Sequence, residues 1–131
     1  MAGREPGRRI LVVEDDEDTR RMIRTILRQL GTDLELLEAT DGHQAWARLR
    51  AEPVDLVISD VTMPRMDGLS LVRRMKASAS LAGVPVIFVT ARTGPKDVIA
   101  GINAGARHFL TKPFRPDELL TKVRRALPKK G

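Results

Sequence analysis

The chain has no cysteine and only two histidines, His43 and His108, which lie far apart in sequence. Without cysteine there is no disulfide scaffold and no thiolate site for zinc or an iron–sulfur cluster. Aromatic residues make up only 3% of the sequence, so the core must come from Leu, Ile, Val, Met and Ala. So few aromatics also argue against a base-stacking surface for nucleic acid. No apolar run approaches the roughly 20 residues a membrane-spanning helix needs. Residues 1–9 are polar and lack the apolar stretch of a secretory signal. These absences point to a cytoplasmic protein.

What is present suits one compact domain. The 131 residues are 42% hydrophobic, and domains of roughly 100–150 residues are the commonest. Lys and Arg total 23 against 17 Asp and Glu, a net charge of +6. Arg20, Arg21, Arg24 and Arg28 occupy one helical stretch; Lys122, Arg124, Arg125, Lys129 and Lys130 occupy another. With no recognition-helix motif beside them, they read as a solvated face or a surface for a protein partner. Direct binding of nucleic acid is not expected.

Two patterns alternate along the chain. Short apolar runs with the look of buried strands occur at 10–13, 34–39, 54–59, 84–89 and 108–111. Glu35 and Glu38 mark the second run as an edge strand. Between and after the runs come helix-spaced apolar positions. Thr19, Met22, Ile23, Ile26, Leu27 and Leu30 form the first set, ended by Gly31. Ala45, Trp46 and Leu49 follow Asp41-Gly42. Leu69, Leu71, Val72 and Met75 form the third set, Val98, Ile99 and Ile102 the fourth, and Leu119, Leu120, Val123 and Leu127 the last. Five strands alternating with five helices predict a doubly wound α/β fold. Its five-stranded parallel sheet should have the flavodoxin-like order 2-1-3-4-5. Gly101-x-x-x-Gly105 sits on a short polar helix and does not read as a membrane dimer motif. No Gly-x-Gly-x-x-Gly follows the first strand, so dinucleotide binding has no support.

In such sheets ligands bind beyond the carboxyl ends of the strands, where the strand order reverses. Strand one ends in Glu14-Asp15-Asp16, strand three in Asp60, strand four in Thr90 and strand five in Lys112. One pocket thus gathers carboxylates, a hydroxyl and an ammonium. Clustered carboxylates repel unless a cation lies among them, and an all-oxygen set with room for water suits Mg²⁺. A metal-neutralised aspartate can act as a nucleophile toward phosphorus, with the hydroxyl and lysine holding phosphoryl oxygens. Each strand-end residue alone is weak; their joint placement carries the reading.

Five stretches carry a resemblance. They are Ile10-Leu-Val-Val-Glu-Asp-Asp16, Val54-Asp-Leu-Val-Ile-Ser-Asp60-Val-Thr-Met-Pro64, Met66-Asp-Gly68, Val86-Ile-Phe-Val-Thr-Ala91 and Phe109-Leu-Thr-Lys-Pro-Phe114. In order and spacing they resemble the CheY-like receiver domain of bacterial two-component response regulators. The resemblance implies a receiver domain over 9–127, an extension at 1–8 and a tail at 128–131. It makes Asp60 the phosphoacceptor and Asp15 a direct Mg²⁺ ligand. Glu14 would act through water, with the backbone carbonyl of Thr62 a further ligand. Thr90 becomes the switch hydroxyl, Lys112 the partner of the phosphoryl oxygens and Phe109 the switch aromatic. The Lys112–Pro113 bond is expected to be cis. A histidine kinase or phosphotransfer protein would donate the phosphoryl group. A downstream protein or output domain would read the face formed by the fourth helix, fifth strand and fifth helix.

The sequence departs from the family's common pattern at several points. Its acidic pair is Glu14-Asp15 rather than two aspartates. Phe109 stands where Tyr is frequent, so the ring has no phenol to donate a hydrogen bond. Thr62 and Arg92 occupy the two variable positions that tune loss of the phosphoryl group. Arg107 and His108 replace the paired acids that support a dimer in members with winged-helix outputs. Two other readings compete. A phosphorylation-independent adaptor would not need Glu14, Asp15, Asp60, Thr90 and Lys112 together. A Mg²⁺-dependent phosphatase with an aspartyl nucleophile usually carries a second Asp two residues on, where this chain has Thr62. The expectation is therefore a signalling switch, not an enzyme acting on an external substrate.

Overall fold

The computed structural model describes residues 8–31, 33–63, 65–91 and 94–127. Pro64, Arg92, Lys129 and Lys130, with residues 1–7 and 128–131, lie outside the described residues. Among the described residues, five strands alternate with five α-helices: β1 (Arg9–Val13), α1 (Glu17–Leu27), β2 (Glu35–Ala39), α2 (Gly42–Ala51), β3 (Leu56–Ser59), α3 (Gly68–Lys76), β4 (Val86–Thr90), α4 (Pro95–Ala104), β5 (His108–Thr111) and α5 (Pro116–Ala126). All strand pairs are parallel, and the sheet order is β2-β1-β3-β4-β5. This is the flavodoxin-like arrangement expected, with β2 at an edge.

The sheet separates two cores because successive side chains point to opposite faces. Leu11, Val13, Val57 and Phe88 pack toward α2, α3 and α4, meeting Ala45, Leu49, Leu71, Val72, Met75 and Ala104. Ile10, Val12, Ile58, Ile87 and Val89 pack toward α1 and α5, meeting Ile23, Ile26, Leu27, Leu119, Leu120 and Val123. A strand covered on both faces must be apolar at every position, which is why β1, β3 and β4 read as unbroken runs.

Aspartates start three of the helices. Asp16, Asp41 and Asp67 each accept a hydrogen bond from a backbone N–H three residues on, at Thr19 (2.9 Å), Gln44 (2.8 Å) and Ser70 (2.8 Å). Each satisfies an N–H that has no partner within its helix. At α5, Pro116 takes the first position and Glu118 Oε1 accepts from Arg115 N at 2.8 Å. Helix α4 ends at Gly105, whose φ of 114° lies in the left-handed region that favours glycine.

Five local expectations need correction. Strand β3 starts at Leu56, two residues later than the apolar run, and β4 at Val86, after Pro85, which has no N–H for the ladder. Strand β2 starts at Glu35; Leu34 precedes it and is buried against α1. Met22 is 45% exposed, because the buried stripe of α1 runs through Ile23, Ile26 and Leu27 and leaves Met22 on its flank. Ile99 and Ile102 of α4 are 57% and 59% exposed, and α4 meets the core through Gly101 and Ala104 instead. None of the described helices is long and apolar enough to cross a membrane.

Candidate functional site

The parallel ladder places the strand ends side by side. Asp60 N donates to Val13 O at 3.1 Å, and Glu14 N donates to Ala39 O at 3.0 Å. Glu14 and Asp60 are therefore neighbours at the point where the strand order reverses. On the far side, Lys112 N donates to Thr90 O at 3.0 Å, which sets Lys112 one step beyond the buried Thr90. The Lys112–Pro113 peptide bond is cis.

Side chains then converge. Carboxylate oxygens of Glu14, Asp15 and Asp60 all lie within 4.8 Å of one another. Lys112 Nζ donates to Glu14 Oε1 at 2.6 Å and to Asp60 Oδ2 at 2.9 Å. Thr62 N donates to Asp60 Oδ1 at 3.2 Å, and Asp16 N to Glu14 Oε2 at 3.1 Å. Glu14 is buried, Asp60 is half-buried and Asp15 is exposed at the rim. Burial raises the Glu14 pKa, and the Lys112 hydrogen bond only partly opposes it. For Lys112, burial acts to lower the pKa, but the two carboxylates outweigh it and the net shift is upward.

The same geometry fits a hard divalent cation. Three carboxylates of graded burial share one small volume open to solvent, and the nearby Thr62 backbone reaches Asp60. Oxygen donors with space left for water are the preference of Mg²⁺.

Sequence reasoning missed several supporting residues. Arg20, read as part of a basic stripe, donates from Nη1 to Glu14 O at 2.9 Å and from Nε to Glu38 Oε1 at 2.7 Å. Arg24 also meets Glu38, at 3.2 Å, and Arg28 caps Leu34 O at 2.8 Å. Much of the α1 stripe is thus internal pairing. Arg65 has a φ of 66° and reaches Asp41 Oδ2 at 2.8 Å, while Gly42 N donates to Met66 O at 3.0 Å. These contacts tie the loop after β3 to the start of α2. Gly68 admits the backbone of Asp60, since a Cβ there would overlap Asp60 O. The available signals were Asp41-Gly42, read only as a helix start, and Met66-Asp-Gly68, read only as one of the stretches that carry the resemblance.

Phe109 faces Phe88 edge-on, with ring centroids 5.3 Å apart and an interplanar angle of 64°. Phe109 is half-buried, whereas Phe88 is fully buried.

A doubly wound sheet with an acidic cluster and a lysine at its switch point defines a class of α/β ligand-binding domain. Comparison with known proteins narrows that class. The family model described as the response regulator receiver domain matches residues 10–124. A chemotaxis protein CheY homolog from Campylobacter jejuni is 39% identical over 116 residues, covering 88% of each chain. The DNA-binding response regulator MtrA of Mycobacterium tuberculosis is 39% identical over 119 residues, 91% of this chain but 50% of MtrA. Among solved structures, Vibrio cholerae CheY4 matches with a TM-score of 0.85 at 32% identity, covering 92% of this chain and 99% of the other. The receiver domain of the sensor histidine kinase PA1611 from Pseudomonas aeruginosa PAO1, solved with a magnesium ion coordinated in its active-site cleft, matches at 0.83 and 32%, over 92% and 97%.

The chain belongs to the response regulator receiver family. It is a CheY-like receiver domain of the two-component, phosphorelay type, a signalling switch by class.

Proposed function

We propose that Asp60 accepts a phosphoryl group and that the acidic cluster binds Mg²⁺ for that reaction. The observation that carries this reading is the Lys112 ammonium held at once by Asp60 and the buried Glu14. The ammonium is pre-aimed at the carboxylate where phosphoryl charge would arrive. Asp15 and Asp60 would hold the metal directly, Glu14 through water, and the Thr62 carbonyl would complete the protein's share. Bound there, Mg²⁺ supplies charge neutralisation for the transferring phosphoryl oxygens.

The donor is a phosphohistidine on a histidine kinase or phosphotransfer protein. A carboxylate oxygen of Asp60 forms the new P–O bond as the P–N bond breaks, and the freed imidazole takes up a proton. Lys112 then shifts its hydrogen bond from the carboxylate to a phosphoryl oxygen. The Thr90 hydroxyl turns toward the phosphate, and Phe109 moves with it. The face of α4, β5 and α5, with Ile99 and Ile102 exposed on α4, passes the change to a protein partner or output domain. This is a population shift driven by a new charge. The domain's chemistry acts on itself, through its own phosphorylation and dephosphorylation.

The test is intact mass after incubation with Mg²⁺ and acetyl phosphate, with Asp60→Asn and a chelator control in parallel. One added phosphoryl group on the wild type alone is expected. No adduct under rapid quench, together with no beryllofluoride-induced shift, would replace this reading with the phosphorylation-independent adaptor.

A further inference from the structure

The geometry points to Gly101 as the residue that positions the Phe109 ring and couples it to α4. Gly101 lies within α4, where glycine is a poor helix former compared with alanine. A helix that keeps glycine at a buried interior position needs a packing reason. Phe109 supplies it. A Cβ on Gly101 would overlap both Cε2 and Cζ of the Phe109 ring, and would lie 3.3 Å from Phe88 Cδ2. The ring therefore rests on the bare backbone of α4 at one side and against the edge-on Phe88 ring at the other.

Phe88 cannot give way. It is fully buried, and its Cε1 would lie 2.8 Å from a Cβ on Gly68. The Phe109 ring is only half-buried, and β5, which carries it, is the last strand of the sheet, so the ring can yield where Phe88 cannot. The two glycines of Gly101-x-x-x-Gly105 thereby acquire separate roles. Gly101 seats the ring, and Gly105 ends the helix in the left-handed conformation.

Two consequences follow. Alanine at Gly101 drives the ring outward before any phosphorylation. It also removes the contact through which ring movement reaches α4, while leaving the acidic cluster and Lys112 untouched. Gly101 acts through Phe109 and is a positioning residue. The second consequence rests on the phosphorylation reading above; the first does not.

The experiment uses the whole chain with isotope-labelled rings (¹³C) in its three phenylalanines, Phe88, Phe109 and Phe114, which adds no atom to the contact. In unphosphorylated Gly101→Ala the Phe109 ring signals should move and become accessible to a soluble paramagnetic quencher, with Phe114 unchanged. With Mg²⁺ and acetyl phosphate, Gly101→Ala should gain the same mass as wild type. The Phe109 and α4 amide shifts expected on wild-type phosphorylation should be absent from this variant. A double-mutant cycle in urea gives a second readout. Gly101→Ala should lower the unfolding midpoint in the wild type and raise it in a Phe109→Ala background, where the helix preference for alanine acts unopposed.

A Phe109 signal that does not move in Gly101→Ala, or additive effects in the cycle, would overturn the inference. So would phosphorylation-induced shifts that persist in Gly101→Ala. If the single variant fails to fold and the double variant folds, the clash is established directly. If the wild type takes up no phosphoryl group, the phosphorylation reading fails while the ring position is still decided.

Discussion

The ammonium of Lys112 lies 2.9 Å from Asp60 Oδ2, joining side chains 52 residues apart in the chain. The same nitrogen holds Glu14 at 2.6 Å, so one cation balances two carboxylates. Lys112→Met leaves the buried Glu14 and Asp60 facing each other without it. Removing one partner of a buried pair costs about 3–5 kcal/mol. Lys112 keeps some contact with solvent, so the expected loss is about 1–3 kcal/mol. Mg²⁺ should restore more stability to Lys112→Met than it adds to the wild type, because a second cation then takes the ammonium's place. Urea unfolding with and without Mg²⁺ checks both parts; an equal Mg²⁺ response in the two proteins would contradict the second.

Gly68→Ala should damage the acceptor loop from outside the acidic cluster. The added methyl overlaps the Asp60 carbonyl and lies 2.8 Å from Phe88 Cε1, neither of which can step aside cheaply. Overpacking of this kind costs about 1–3 kcal/mol. Alanine's advantage over glycine in a helix offsets only part of that. A lower urea midpoint together with slower labelling by acetyl phosphate is the expected pair of results. Normal labelling would show that the loop relaxes without moving Asp60.

Asp41 and Arg65 should prove unequal partners. Asp41 caps α2 through Gln44 N and is buried, whereas the Arg65 side chain is 66% exposed. Asp41→Ala loses the cap, at about 1–2 kcal/mol. Arg65→Gly loses an ion pair that is largely in water but releases a residue from φ of 66°, which relieves about 1 kcal/mol. Asp41→Ala should therefore be clearly destabilised and Arg65→Gly close to wild type in equilibrium unfolding. The reverse order would mean that the ion pair, not the cap, holds the loop.

His108 predicts a pH dependence. Burial lowers its pKa, and the nearby Lys122, Arg107 and Arg125 lower it further from 6.5. Below that value the unfolded chain binds a proton that the folded chain resists. The contribution is fully present above pH 6.5 and is lost as pH falls through the folded pKa. His108→Gln should flatten this part of the profile. Unfolding midpoints measured on either side of pH 6.5 test it, and parallel profiles for the two proteins would rule His108 out as the source.

The order of elements and the residues at the strand ends were legible because both are local properties. A strand buried on both faces must be apolar throughout, and its first polar residue falls where the sheet meets solvent. That rule located Asp60 and the run from Glu14, and the short helix-spaced sets between them implied parallel crossovers. Element boundaries were less legible. The apolar runs begin before the first residue of the strand, so Val54 and Val84 are apolar without belonging to strands.

Tertiary structure decided what depends on partners distant in the chain. Arg20 looked like one charge of a solvated face until the fold set it against Glu38 and the Glu14 carbonyl. Ile99 and Ile102 looked like core positions until α4 packed through Gly101. Gly101 itself carries no local sign of its neighbour, because a missing side chain acquires meaning only when another element fills the space. The sequence by itself determined the periodicities, and through them the sheet and the chemistry at its edge. The packing of each helix against that sheet determined which charges were paired, which apolar residues were exposed and where the Phe109 ring came to rest.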